Sequence, residues 1–104
     1  MIITLEISTK NYINDKLEVK MALSHMETLV GIINGHSLSE PYTKFGWTFF
    51  KIAFKSDLQD AIEKKFEDML EKYVSKDPTQ KFVDFMTDYL KSKNFEIKVK
   101  LVDS

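Results

Sequence analysis

The chain contains no cysteine and no arginine. Without cysteine there can be no disulfide, no thiolate metal site and no cysteine nucleophile. Its absence fits a reducing compartment and points to a cytoplasmic protein. Without arginine there is no planar, bidentate fork with which to read guanine or clamp phosphate, so sequence-specific DNA recognition loses its commonest tool. All 15 basic residues are lysine. An AT-rich genome, which also favours Ile, Asn and Phe, accounts for that bias without any functional cause.

Glycine is scarce as well. Gly31, Gly35 and Gly46 are the only three, and they form no phosphate-binding loop. His25 and His36 are the only histidines, no HExxH occurs, and both read as ordinary solvated side chains. Ser24, Ser37 and Ser39 lie outside any GxSxG-type elbow. No catalytic set, metal site or cofactor is therefore expected. No apolar run approaches the ~18 residues of a membrane span, and MIITLEIST lacks the basic-then-apolar pattern of a signal peptide. Repeats, low-complexity tracts and linkers are missing too.

What is present is one domain's worth of chain, residues 1–104, with 43% apolar residues and a net charge of −1. Ile3, Leu5 and Ile7 alternate with Thr4, Glu6 and Ser8, the period of a half-buried strand. Near the other end Phe95, Ile97, Val99 and Leu101 alternate with Glu96, Lys98, Lys100 and Val102. Over 57–75, Leu58, Ala61, Ile62, Phe66, Met69, Leu70, Tyr73 and Val74 recur at helical spacing, with Ser56 and Gln59 set as a capping box. Asp77 and Pro78 open a second helix carrying Phe82, Phe85, Met86, Tyr89 and Leu90 and ending near Asn94. Only Ser75 and Lys76 separate the two.

Residues 15–34 read as a helix capped by Asp15 and Glu18 and stopped by Gly35. Leu17, Val19, Met21 and Leu23 also alternate as a strand would, which leaves a fourth strand paired with 2–8 as the competing assignment. Residues 36–44 read as loop and 45–55 as strand. The expected fold is α+β: three or four strands, three helices, order β-α-β-α-α-β, with the helices mainly on one face.

The stretch FGWTFFKIAF then raises a question of faces. Thr48, Phe50, Ile52 and Phe54 point one way, as core. Trp47, Phe49, Lys51, Ala53 and Lys55 point the other. With helices on one side only, Trp47, Phe49, Lys51, Lys98 and Lys100 share the open side and form a candidate interaction patch. If a helix or the 36–44 segment covers that side, the rings are merely core. A second candidate is the acidic helix face of Asp60, Glu63, Glu67, Asp68 and Glu71, for which a solvated amphipathic helix is the competing account.

These features lead to a small non-enzymatic protein-interaction module of inhibitor or adaptor type, using the aromatic sheet face or the acidic helices. The same surface could make a homodimer. The alternative is a single-stranded nucleic-acid-binding domain, with bases stacked on sheet aromatics and phosphates held by lysine. Small size and AT-rich flavour would suit an accessory protein of a virus or mobile element.

Overall fold

Alternation in the first strand is realised residue by residue. In the computed structural model, which describes residues 3–93 and 96–102, Ile3, Leu5, Ile7 and Thr9 of β1 (Ile3–Thr9) are buried, while Thr4, Glu6 and Ser8 are half-buried on the other side. Its antiparallel partner β4 (Trp47–Phe54) matches it in phase: Ile3 faces Phe54, Leu5 faces Ile52 and Ile7 faces Phe50. β5 (Ile97–Leu101) pairs along the other edge of β1, with Leu101, Val99 and Ile97 opposite Leu5, Ile7 and Thr9. One inward row thus runs across three strands.

The remaining edge of β4 carries two short strands, β2 (His36–Leu38) and β3 (Tyr42–Lys44). Both pair with β4, so they act as one edge strand interrupted at residues 39–41. Pro41 cannot donate to a ladder. Ser39 bridges the gap: its N–H donates to the Lys51 carbonyl at 2.9 Å, and its Oγ accepts from the Lys51 N–H at 2.8 Å. The sheet order is β2-β4-β1-β5 and every pair is antiparallel. Counting the interrupted edge once, the connectivity is the β-α-β-β-α-β of a split βαβ, ferredoxin-like arrangement.

The helices α1 (Tyr12–Val30), α2 (Ser56–Lys65), α3 (Glu67–Leu70) and α4 (Pro78–Lys91) close the inward side. Val19, Leu23 and Met26 of α1, Leu58 and Ile62 of α2, and Phe82, Met86 and Leu90 of α4 join the strand residues in one core. Edge-on ring contacts tie the layers: Tyr12 to Phe50 at 5.6 Å and Phe54 to Phe82 at 5.4 Å. The Tyr89 hydroxyl donates to the Ala22 carbonyl at 2.9 Å and joins α4 to α1.

The α+β class and the one-sided helical layer agree with expectation; several details do not. There are five strands and four helices among the described residues, not three or four and three. Residues 36–44 form β2 and β3 rather than loop, because their pairing partner lies on β4 and leaves only Leu38 and Tyr42 as local apolar cues. Residues 17–23 are helical, and the strand alternative falls. α1 begins at Tyr12, not near Asp15, and ends at Val30 rather than Gly35; Gly31 follows it with a left-handed φ of 73°, which brings the Ile32 N–H onto the Glu27 carbonyl at 3.0 Å. Asp15 does not cap; it is buried and accepts from the Thr9 hydroxyl and from Asn14 Nδ2, which fastens the helix to the end of β1.

The single helix expected over 57–75 is broken at Phe66, which leaves helical geometry and packs its ring on Phe85 at 5.2 Å. Val74, expected in the stripe, is exposed. The Ser56–Gln59 capping box does not form: Lys55 occupies the cap and Gln59 donates to Glu63 instead. The Asp77 cap with Pro78 in the first turn is as expected, its carboxylate accepting from the Thr79 N–H at 3.1 Å. The helix it opens closes at Lys91, and both Asn94 and Phe95 lie outside the described residues. His25 is exposed as anticipated, but His36 is not a free solvated side chain: its Nδ1 lies 2.7 Å from Glu27 Oε2, which also accepts from the Gly35 N–H at 2.7 Å.

Two expectations follow from this packing. A Cβ at Gly35 would lie 2.6 Å from the Leu58 Cβ, so Gly35→Ala should destabilise by about 1–3 kcal/mol, read as a lower urea midpoint at unchanged slope. Burial first, and then donation to Asp88 at 2.7 Å, pushes the Tyr73 phenol up to about 12. Because the folded value is raised, its stabilisation is complete below the ordinary value of 10.0 and lost as pH climbs from there through about 12. The gap in urea midpoint between wild type and Tyr73→Phe should shrink across that interval.

Candidate functional site

The register of the sheet assembles its outward face. β4 contributes Trp47, Phe49, Lys51 and Ala53; β1 contributes Thr4, Glu6 and Ser8; β5 contributes Lys98 and Lys100; β3 contributes Tyr42 and Lys44. The helical core residues pack on the opposite side. Trp47, Phe49 and Lys51 are half-buried, whereas Lys98 and Lys100 are exposed. All five residues expected on this patch therefore share one face. Lys55, expected beside them, lies past the end of β4 as the cap of α2.

Aromatic and cationic groups alternate across this face. The Tyr42 ring stacks on Phe49 with centroids 5.1 Å apart and planes 17° apart. The Tyr42 hydroxyl donates to Glu6 Oε2 at 2.8 Å, and that bond is the main reason its pKa is raised, leaving it a neutral donor at physiological pH. Glu6 stands opposite Lys51 on one neighbour and Lys100 on the other. Lys10 Nζ lies 4.8 Å and Lys98 Nζ 4.7 Å from the Trp47 ring centre. Such exposed cation–π contacts contribute about 0.5–1 kcal/mol each. Lys10, Lys44, Lys51, Lys98 and Lys100 outnumber Glu6 and Glu96 here. Since the net charge of the chain is −1, the rest of the chain carries a modest acidic excess, ten lysines beside fourteen carboxylates.

Beside Trp47 a groove of about 460 Å³ opens between β4, the start of β5 and the start of α1. Lys10, Asn11, Asn14, Asp15, Glu96, Ile97 and Lys98 line it together with the indole. The buried Asp15 carboxylate, held by Thr9 and Asn14, lies at this border.

The acidic residues are gathered less completely. Asp60, Glu67, Asp68 and Glu71 are exposed and Glu63 is half-buried. A second groove brings Glu63, Glu67 and Glu71 together, but Lys64 and Lys81 share it, with Lys81 Nζ 3.7 Å from Glu71 Oε2. Asp60 and Asp68 stand outside it.

Two features were not anticipated. Phe45 is not part of the strand. With Gly46 it forms the two-residue turn between β3 and β4, at φ 55° and 78° respectively. A turn with both central residues at positive φ prefers Asn-Gly; a bulky residue there is strained. Phe45 is nevertheless 88% exposed, with Lys44 Nζ over its ring at 5.3 Å. The signal was Gly46 between two strand-like triplets, YTK and WTF. The second feature is an outward apolar row on α1, Ile13, Leu17 and Met21, at 86%, 56% and 58% exposure. It produces the strand-like alternation of 17–23, because this helix is apolar on two opposite faces.

Comparison of the chain with protein-family models, curated proteins and solved structures finds no match. Among the described residues, no helix is long and apolar enough to cross a membrane, and no three potential ligands cluster as a metal would require.

Relief of the turn strain gives a direct check. Phe45→Asn should raise stability by about 1 kcal/mol, and the thermal midpoint by several degrees, because Asn tolerates the left-handed conformation. Phe45→Ala, which keeps the strain, should not.

Proposed function

We propose that this chain is a small non-enzymatic interaction module, of inhibitor or adaptor type, that docks a protein partner on the helix-free face of its sheet. The observation carrying this reading is the continuous aromatic surface of Trp47, Phe49 and Tyr42, extended by Phe45 at a strained turn. Rigid aromatic side chains are the usual anchors of protein interfaces. Strain kept at an exposed ring, where Asn would relieve it, fits a residue retained for binding rather than folding. The lysines around the rings favour a partner with an acidic rim. Docking through the acidic helices is the weaker form of the reading, since Lys64 and Lys81 already stand among Glu63, Glu67 and Glu71. The upward-displaced tyrosines, Tyr42, Tyr73 and Tyr89, remain neutral donors and supply no base or nucleophile.

A second reading, single-stranded nucleic-acid binding, is favoured by one observation: two ammonium groups stand over the molecule's one indole, on its basic side.

Affinity purification from the native host tests the first reading. Trp47→Ala with Phe49→Ala should weaken a captured protein partner by about 30-fold or more, the scale of a hot-spot truncation of ~2 kcal/mol. Circular dichroism and the urea midpoint must show that variant folded. Lys51→Glu, which leaves the rings in place, should weaken the same partner through charge alone. A folded double variant that keeps its partner overturns the proposal.

A further inference from the structure

The groove beside Trp47 differs from the rest of the sheet face in having depth, two amide side chains and two lysines around one indole. Its volume of about 460 Å³ falls among small-molecule sites. We propose that it is the subsite for one base of a single-stranded nucleic acid, an assignment that rests on the second reading above. The base stacks on the Trp47 ring. Asn11 and Asn14 meet its hydrogen-bonding edge; each amide offers a donor and an acceptor, so the edge read is tolerant of base identity. Lys10 and Lys98 hold the flanking phosphates.

Both ammoniums now sit against the indole, at 4.8 and 4.7 Å. A stacked base displaces at least one of them. The exchange is favourable, because base stacking on an aromatic ring is worth more than an exposed cation–π contact and the released ammonium gains a phosphate. Asp15 does not compete for the lysines as a bare carboxylate would: it is buried and accepts from Thr9 and Asn14, and the latter bond also holds the Asn14 amide in place. The groove itself balances Lys10 and Lys98 against Asp15 and the exposed Glu96, so attraction for an anionic strand comes from the wider sheet face, where Lys44, Lys51 and Lys100 add to them and only Glu6 opposes.

Trp47 is the only tryptophan, so its emission reports the groove directly. The wild-type chain titrated with the oligonucleotide dT12 should lose Trp47 fluorescence. Affinity should fall about sevenfold between roughly 50 and 200 mM salt, the slope expected for two phosphates on a single strand. Lys10→Gln should weaken dT12 several-fold and make the log–log salt slope shallower by about 0.7. Asn11→Ala and Asn14→Ala should weaken binding at unchanged slope, and Lys64→Gln on the helical side should change nothing. The mononucleotide dTMP should quench the same emission at least tenfold more weakly than dT12. Equal affinity would reassign the groove to free nucleotides and overturn the single-strand assignment. Heparin or a poly-glutamate peptide binding as tightly as dT12 would also overturn it, in favour of plain ion exchange or an acidic protein. No binding of dT12 at low salt overturns the second reading itself. Binding of dT12 with Trp47 emission unchanged and Lys10 and Asn14 variants unaffected overturns only the subsite, placing the strand on Tyr42 and Phe49. The urea midpoint of each variant confirms that it is folded.

Discussion

The antiparallel register of β1 against β4 is the constraint on which everything else rests. It aligns Ile3, Leu5 and Ile7 with Phe54, Ile52 and Phe50, so the two central strands present one apolar face. A slip of one residue would turn Phe50, Ile52 and Phe54 outward and bury Lys51. The same phase that secures the core also fixes the composition of the other face. Trp47, Phe49 and Lys51 lie outward because Thr48, Phe50, Ile52 and Phe54 lie inward. The candidate surface is the complement of the core, set by the two-residue period of the strand.

Local devices then differentiate that surface. The interruption at 39–41 keeps the outer edge from forming one long ladder, a common protection against edge-to-edge pairing. The turn at Phe45 and Gly46 brings Tyr42 onto Phe49 and Lys44 beside Trp47. Buried Thr9 and Asp15 tie the start of α1 to the end of β1, and so place Asn11 and Asn14 along the groove at Trp47. The lysines of β3, β4 and β5 lie outward, while α2 and α3 carry their acids together with Lys64 and Lys65.

The strand and helix signals were most legible where burial is one-sided. β1 and the described part of β5 alternate cleanly, and α4 has both its cap and its stripe. Reading was hardest where an element faces two environments. α1 buries Val19, Leu23 and Met26 on one side and displays Ile13, Leu17 and Met21 on the other, so its period blurs. The helix break at Phe66 has no local Gly or Pro to announce it, and its ring packs on Phe85, supplied by a helix that begins at Pro78. β2 and β3 are strands because β4 offers them an edge; Tyr42 and Thr43 suit a strand, but runs of three residues are too short to declare one.

The sequence alone determined the α+β class and the inward and outward residues of each main strand, and so made Trp47, Phe49, Lys51, Lys98 and Lys100 candidates for one face. These depend on periodicity, which is local and is written into consecutive residues. Only the tertiary structure decided that no helix among the described residues covers that face, that Lys10 joins Lys98 over Trp47, that Asn11 and Asn14 border the same groove, and that Phe45 stands strained and exposed at a turn. Those outcomes depend on how distant segments meet. Pairing register and layer packing settle such meetings, through the burial of surface that no single stretch of chain carries by itself.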